Sequence, residues 1–309
     1  MFTSLCALVL SQSKVRRVSQ VSNVVEVLMR HAKCIYGAFD HFAVLGSVQT
    51  AKPDISSINF EAFIRFANNC RLIDSQASSI TIEKILARVD SVHRGTSHAD
   101  AHNKASSLNR HEFLQMLVRI AAHKYLTNSL TGLPSGDAAA ALERLIYENL
   151  LKYLPQDAIT DGNIFRRRVC YTEPVSRLLT SHYAALWDLF AGRAERSVEG
   201  APKRGSNAMM SIASWLTLAR DADLKQFGVS DAMAMHLFAC SRIRSIPNHS
   251  ARNESKLKSL FFEDFLELLV RLSTVIVRST DEKNDGLGQV ISLLIDPAVV
   301  QLSALHNRD

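Results

Sequence analysis

The feature that most constrains the fold of this chain is an internal repeat. The stretch Leu108–Ala121, LNRHEFLQMLVRIA, returns as Leu260–Ser273, LFFEDFLELLVRLS, at an offset of 152 residues (260 − 108). The offset stays at 152 from Ile58 to Ile120, across several helical patterns and the loops between them. A constant offset over that length is not expected from chance agreement of apolar stripes, so we expect one structural unit to occur twice.

Composition and periodicity predict an all-α fold for both copies. The 309 residues are 47% hydrophobic and 21% charged, and the mean hydropathy is near zero, as is typical of globular proteins. Apolar residues recur every three or four positions, whereas strand signals are scarce. We expect a basic arm over residues 1–20, a helical domain with a linking helix over residues 21–155, and a second helical domain with a C-terminal helix over residues 156–309.

Within each copy the apolar pattern predicts two helix–loop–helix pairs. In the first copy the expected helices span residues 21–42, 59–70, 81–89, 108–125 and, as a linking helix, 137–153. Thr81 is placed to cap the first amides of its helix. The second copy starts at Thr172, because threonine caps helices and Pro174 suits a first turn.

Each copy resembles a pair of EF-hands. In that family an apolar residue at the eighth loop position pairs with the neighbouring loop through a short β bridge, and an acid at the twelfth position precedes a phenylalanine. The eighth positions here would be Ile58, Leu108, Met210 and Leu260, with the same separation of 50 in both copies (108 − 58 and 260 − 210). The resemblance covers about residues 24–125 and 175–278, and it implies two tandem EF-hand-like domains.

The loops lack the residues that calcium requires, which are about six to eight oxygen ligands and a glycine at the sharp turn. The twelfth positions hold Ala62, Glu112, Ser214 and Asp264. The first positions hold Ala51, Ala101, Lys203 and Asn253, and the turn glycine is replaced by Ser56, Ser106, Ala208 and Lys258. We therefore expect no metal and no cofactor, and we expect the two acids to cap helix ends. One unusual site stays open, because an insertion can bring Asp90 or Asp100 towards Glu112.

The formal net charge of +6 and the pI of about 9.1 favour acidic partners. The basic residues that we select as candidate partner contacts are Lys14, Arg16, Arg17, Arg166, Arg167, Arg168, Lys203 and Arg204. A solvated face is the alternative for these residues. Arg119 and Arg271 recur at equivalent places, and we interpret them as end-of-helix ion pairs or snorkelling side chains, with a repeated partner contact as the alternative.

The remaining motifs give no sign of catalysis. The five cysteines show no CxxC spacing and are expected to be reduced thiols in a reducing compartment. The sequence has no nucleophile elbow, phosphate-binding glycine loop, HExxH or paired-carboxylate pattern, so we do not expect an enzyme. No aromatic RNA-binding signature accompanies the basic runs, and no apolar run reaches transmembrane length, so neither nucleic acid nor membrane is expected as a partner.

The exit-helix pattern EFL..LVR.A..KY over Glu112–Tyr125 is similar to degenerate tandem EF-hand proteins of protist flagella, which line ciliary doublet microtubules. This resemblance implies a structural role in the axoneme, bound to tubulin and other axonemal proteins. Two alternatives stay open. One is a calcium-sensor-like EF-hand module that binds a target helix. The other is a subunit of a mitochondrial complex, because the N-terminus is basic and has no acid before Glu26.

Overall fold

A computed structural model of the chain describes residues 14–48, 50, 53–75, 77–94, 107–126, 137–159, 161–194, 208–242, 258–279 and 286–295. Its side chains are described except at residues 14–19, 90–94 and 277–279. Most of this part of the chain is helical, and its strands are two residues long. The all-α prediction is thereby confirmed.

The chain divides into two compact units. The first comprises Met1–Gly46 and Ser56–Thr160, and the second comprises Ser47–Ile55 and Asp161–Asp309. The main division therefore follows residue 160, whereas the sequence analysis placed it after residue 155. The first described helix begins at Lys14, within the stretch that the sequence analysis assigned to an arm.

In the first unit the helices are α1 (Lys14–Arg30), α2 (Ala32–Ser47), α3 (Phe60–Asn69), α4 (Ser79–Arg94), α5 (Arg110–Leu126) and α6 (Ala138–Leu145), and the strands are β1 (Ile58–Asn59) and β2 (Ser107–Leu108). A first π-helical turn, Ile146–Leu150, continues α6 into α7 (Leu151–Tyr153), and α8 (Gln156–Ile159) follows.

The second unit begins with α9 (Gly162–Phe165), which runs into a second π-helical turn, Arg166–Cys170. The elements that follow are α10 (Glu173–Ser181), α11 (Tyr183–Arg193), β3 (Met210–Ser211), α12 (Ile212–Asp221), a 3₁₀ turn (Leu224–Phe227), α13 (Asp231–Ser241), β4 (Ser259–Leu260), α14 (Phe262–Ser279) and α15 (Gly286–Leu294).

Each unit is tied together by a short antiparallel bridge. Ile58 lies opposite Leu108 in the first unit, and Met210 lies opposite Leu260 in the second. These are the pairings expected from the sequence repeat. All four side chains are buried, so each bridge brings the starts of two long helices together over a dry apolar contact.

The aromatic residues of the two repeats form the centres of the two cores. In the first unit Phe39, Phe42, Phe63, Phe66 and Phe113 are buried, and their ring centroids lie 5.2–6.2 Å apart in tilted and edge-to-face contacts. These separations and angles are the ones that aromatic pairs prefer. Phenylalanines at helical spacing therefore serve as core residues, as the periodicity indicates.

The core of the second unit has the same construction. Trp187, Phe190, Phe262 and Phe265 are buried and lie in contact, with the Trp187 and Phe262 centroids 5.0 Å apart. Trp215 is fully buried, and its indole N–H donates to the carbonyl of Ala234 at 2.9 Å. A buried indole with its donor satisfied adds apolar area without the cost of an unpaired polar group.

The first long helix of each copy differs from its prediction. The expected helix over residues 21–42 is divided at His31, and the corresponding pattern in the second unit is divided at His182. His182 has φ −106° and ψ 9°, outside the α-helical region. Thr81 does not cap its helix, because the hydroxyl of Ser78 accepts the Thr81 N–H at 3.3 Å, and the helix begins at Ser79.

Helix α6 packs against α1 and α5 and closes the first unit. Its continuation places Asn149 at the end of α3, where the amide donates to the carbonyls of Cys70 and Arg71 at 2.9 and 3.0 Å. Arg71 has φ 51°, in the left-handed conformation that ends helices. The first π-helical turn therefore supplies partners for helix-end carbonyls that α3 cannot satisfy itself.

Candidate functional site

The four loop ends predicted from the repeat all lie in the first turn of a helix. The side chains of Asn59, Asn109 and Ser211 accept the amide hydrogens of residues three positions later, at 2.8, 3.0 and 3.3 Å. Those later residues are Ala62, Glu112 and Ser214. Each loop therefore ends in a helix N-cap.

The two acids at these positions also point back to the start of their helices. Glu112 is fully buried and accepts the Asn109 N–H at 2.9 Å, which completes a reciprocal capping box. Asp264 is 7% exposed and accepts the Phe261 N–H at 3.1 Å. The expectation that these two acids cap helices is confirmed, and Asp264 does so where Phe261 has no side-chain acceptor.

Burial raises the pKa of Asp264 to about 6, against an opposing effect of the hydrogen bond from Phe261. The carboxyl oxygen that accepts the Phe261 N–H is engaged at the start of its own helix. Within the described ranges no three histidine, cysteine, aspartate or glutamate side chains converge as a metal site requires. The side chain of Asp90 and all of Asp100 lie outside those ranges.

Arg166 belongs to an internal ion-pair network. Its Nε donates to Glu267 at 2.7 Å, and the other oxygen of Glu267 accepts two hydrogen bonds from Arg271 at 2.7 and 2.9 Å. The Arg271 guanidinium lies 4.3 Å from the centre of the Phe165 ring. Arg166 is therefore engaged within the second unit while part of its side chain stays exposed, and Arg271 pairs with Glu267 in the middle of α14 rather than at a helix end. The network holds the second π-helical turn against α14.

Arg119, which corresponds to Arg271 in the repeat, lies in a different environment. Burial and the neighbouring Arg88 lower the pKa of its guanidinium.

Arg167 and Arg168 differ from Arg166, because both are exposed and neither forms an ion pair with a described residue. Two exposed apolar side chains flank them in sequence: Ile164 is 43% exposed and Tyr171 is 74% exposed. We call these four residues the basic–aromatic surface. A segment that combines exposed arginine and tyrosine has the composition enriched at the energetic centres of protein interfaces.

The other basic candidates lie partly or wholly outside the described residues. Lys14, Arg16 and Arg17 belong to α1, but their side chains lie outside the described part of the structure. Lys203 and Arg204 fall outside the described residues altogether.

The described cysteines Cys34, Cys70, Cys170 and Cys240 are free thiols. Burial raises the pKa of Cys34 and of Cys170 to about 11. Such thiols are protonated at neutral pH, and only the thiolate is a good nucleophile or metal ligand. Cys34 and Cys170 therefore serve as apolar core residues.

No described helix has both the length and the hydropathy of a membrane span. No protein-family model, no curated protein and no solved structure matches this chain.

Proposed function

We propose that this chain is a non-enzymatic structural protein of the ciliary or flagellar axoneme, built on two EF-hand-like helix pairs that bind no metal. In this role it binds the tubulin lattice or neighbouring microtubule-associated proteins through its basic surface.

Two observations support an EF-hand-like frame. The bridge of each unit joins the residues that the family resemblance assigns to the eighth loop position. The residues assigned to the twelfth position lie three residues after a helix N-cap in the first three loops. At these positions Ala62 and Ser214 have no carboxylate, and Glu112 and Asp264 are engaged by backbone amides. The frame therefore keeps the helix arrangement while its acids stabilise helices.

The observation that carries the proposed role is the basic–aromatic surface. The Arg166–Glu267 hydrogen bond of 2.7 Å fixes the π-helical turn from the inside, so Arg167 and Arg168 are presented on a supported segment. Preordered side chains lose less conformational entropy on binding than side chains of a mobile loop. Two adjacent positive charges favour an acidic partner by electrostatic steering and direct pairing.

Co-sedimentation with stabilised microtubules tests this role. We expect the double variant Arg167→Glu/Arg168→Glu to bind microtubules at least about tenfold more weakly than the wild type, because two attractive charge contacts become repulsive. The matched control is Arg65→Glu/Lys84→Glu, which makes the same change in net charge at exposed positions of the first unit. Equal loss in both variants, or no loss in either, contradicts a role for this surface.

Two further measurements test the proposed location and the metal-free frame. A C-terminally tagged protein should co-localise with the axoneme of a flagellated cell. It should stay with the axoneme during extraction with detergent and high salt. Mitochondrial fluorescence instead favours the alternative of a mitochondrial complex subunit. Calorimetry with micromolar calcium should give no heat of binding, whereas a binding isotherm contradicts the metal-free frame and favours the calcium-sensor alternative.

A further inference from the structure

The first helices of the two units differ in how well their apolar stripes are covered. The buried apolar residues of α1 are Val21, Val24, Val27 and Leu28, and each is less than 10% exposed. At the offset of 151 residues (182 − 31) the corresponding residues are Thr172, Val175, Leu178 and Leu179. None of these is buried, and α10 contains no buried residue.

The apolar stripe of α1 is covered by helix α6. Helix α6 packs on α1 with an alanine- and leucine-rich face, whose buried residues are Ala138, Ala141, Leu142 and Leu145. Beside that face Glu143 accepts a hydrogen bond from Arg30 at 2.7 Å. A short helix with small apolar residues and an acid at its edge is therefore what this type of stripe accommodates.

In the described part of the second unit, the helix that corresponds to α6 is not a principal neighbour of α10. Helix α15 packs against α14, as α6 packs against α5, while the principal described neighbour of α10 is the second π-helical turn. Val175, Leu178 and Leu179 recur at helical spacing and are only half-buried. We call these three residues the α10 face.

The charges next to the α10 face indicate what can cover it. The π-helical turn that packs on α10 carries Arg167 and Arg168, and Tyr171 lies between the turn and the helix. Arg177, on α10 itself, is engaged by Glu173. The charge available to a partner is therefore positive and lies beside the N-terminal end of the helix.

We propose that the α10 face binds an amphipathic helix of another protein, with small and leucine-type residues on its contact side and acidic residues facing Arg167 and Arg168. This inference rests on the proposed function in one respect, because it uses the same two arginines, and it adds that the partner contributes a helix. The apolar stripe supplies affinity by burial, and the charges set the orientation of the bound helix.

The test uses the full chain and a labelled peptide with the sequence of residues 137–153, DAAAALERLIYENLLKY, which is the segment that includes the α1 cover. Fluorescence anisotropy should show saturable binding. Leu178→Asp and Leu179→Asp should each weaken it at least about tenfold, because each places a charge on a face that must become dry. Ile80→Asp is the matched control, since Ile80 is 61% exposed in the first turn of another helix, and it should leave binding unchanged. Circular dichroism and tryptophan fluorescence verify that each variant is folded.

A second peptide tests the charge requirement. Replacing Glu143 and Glu148 of the peptide by lysine should weaken binding at least about tenfold, because Arg167 and Arg168 beside the face repel a peptide that has gained four units of positive charge. Equal binding of the two peptides overturns the acidic nature of the partner. Failure of the first peptide to bind, or binding that Leu178→Asp does not change, overturns the docking face itself.

Two further experiments distinguish other possible occupants of the α10 face, namely a second copy of the chain and residues 296–309. If the wild type is a dimer in sedimentation and Leu178→Asp is a monomer, the occupant is a second copy, and the proposal is overturned. If the peptide binds only after the chain is shortened to end at Ile295, residues 296–309 are the occupant, and the proposal is likewise overturned.

The two proposals fail in different ways. Microtubule binding that depends on Arg167 and Arg168 but is unchanged by Leu178→Asp, with no peptide binding, supports the proposed function and overturns the α10 face. Peptide binding that depends on Leu178, together with microtubule binding that is unchanged by the arginine variants, supports the α10 face and overturns the proposed function.

Discussion

Replacing Asp264 by asparagine should remove a pH dependence from the stability of the second unit. The Asp264 carboxyl group is 7% exposed, and burial raises its pKa to about 6. Glu267 and Glu263 raise the pKa further by charge repulsion, whereas the Phe261 N–H and the Arg166 guanidinium lower it. Asparagine has nearly the same shape, stays neutral and retains an oxygen that can accept the Phe261 N–H.

The sign and the size follow from the two pKa values. The folded protein binds the Asp264 proton more tightly than the unfolded chain, in which the pKa is near its ordinary value of 3.8. The stabilising contribution is complete below pH 3.8 and is lost as the pH rises through about 6. The difference corresponds to about 3 kcal/mol, because one pKa unit is worth ~1.36 kcal/mol. Relative to the wild type, Asp264→Asn should therefore gain up to about 3 kcal/mol between pH 4 and pH 7.

Tryptophan fluorescence during urea unfolding measures this effect selectively. Both tryptophans of the chain, Trp187 and Trp215, are buried in the second unit. Asp188→Asn is the control, because it makes the same chemical change at an exposed position of that unit, and its free energy of unfolding should stay within about 0.5 kcal/mol of the wild type. If the curves of free energy against pH for Asp264→Asn and the wild type run parallel from pH 4 to pH 7, the reasoning is refuted.

Substitutions at three further positions test local features. Asn109→Ala should cost about 1 kcal/mol by removing the cap of α5, and an unchanged urea midpoint would contradict the capping box with Glu112. Gly37→Ala should cost at least ~1–3 kcal/mol in thermal unfolding followed by circular dichroism, because its Cβ would lie 1.8 Å from the Ala158 carbonyl oxygen, and a wild-type Tm would refute that close approach. Asp223→Gly should stabilise by about 0.5–1 kcal/mol and Asp223→Ala should destabilise, because this residue has φ 45°; the reverse order in denaturant unfolding would exclude backbone strain there.

The sequence predicts those parts of the fold that depend on local spacing. The capping role of Glu112 follows from its position three residues after an asparagine, so it is written within a few consecutive residues. Ile58 and Leu108 lie 50 positions apart (108 − 58), and their pairing was expected only because the resemblance to EF-hands assigns both to the eighth loop position. The second copy repeats the same spacing and the same pairing.

The missed features depend on contacts between residues that are far apart in sequence. Neither His31 nor His182 stands next to a glycine or proline that would predict a helix break. Arg166 cannot be told from its two neighbours in sequence, and the ion pair with Glu267, 101 positions away, is what distinguishes it. The half-buried α10 face could be recognised only by comparing the exposure of its side chains with that of the corresponding residues of α1.

The first π-helical turn makes the first unit sensitive to chain length. Such a turn accommodates one more residue than the corresponding α-helical turn. Deleting a single residue between Ile146 and Leu150 would restore a regular α-helical turn, which keeps the flanking helix in register but removes the local bulge that contains Asn149. Asn149 would then leave the carbonyls of Cys70 and Arg71, although no side-chain type had been changed. Related sequences should therefore keep both Asn149 and the five-residue length of this turn.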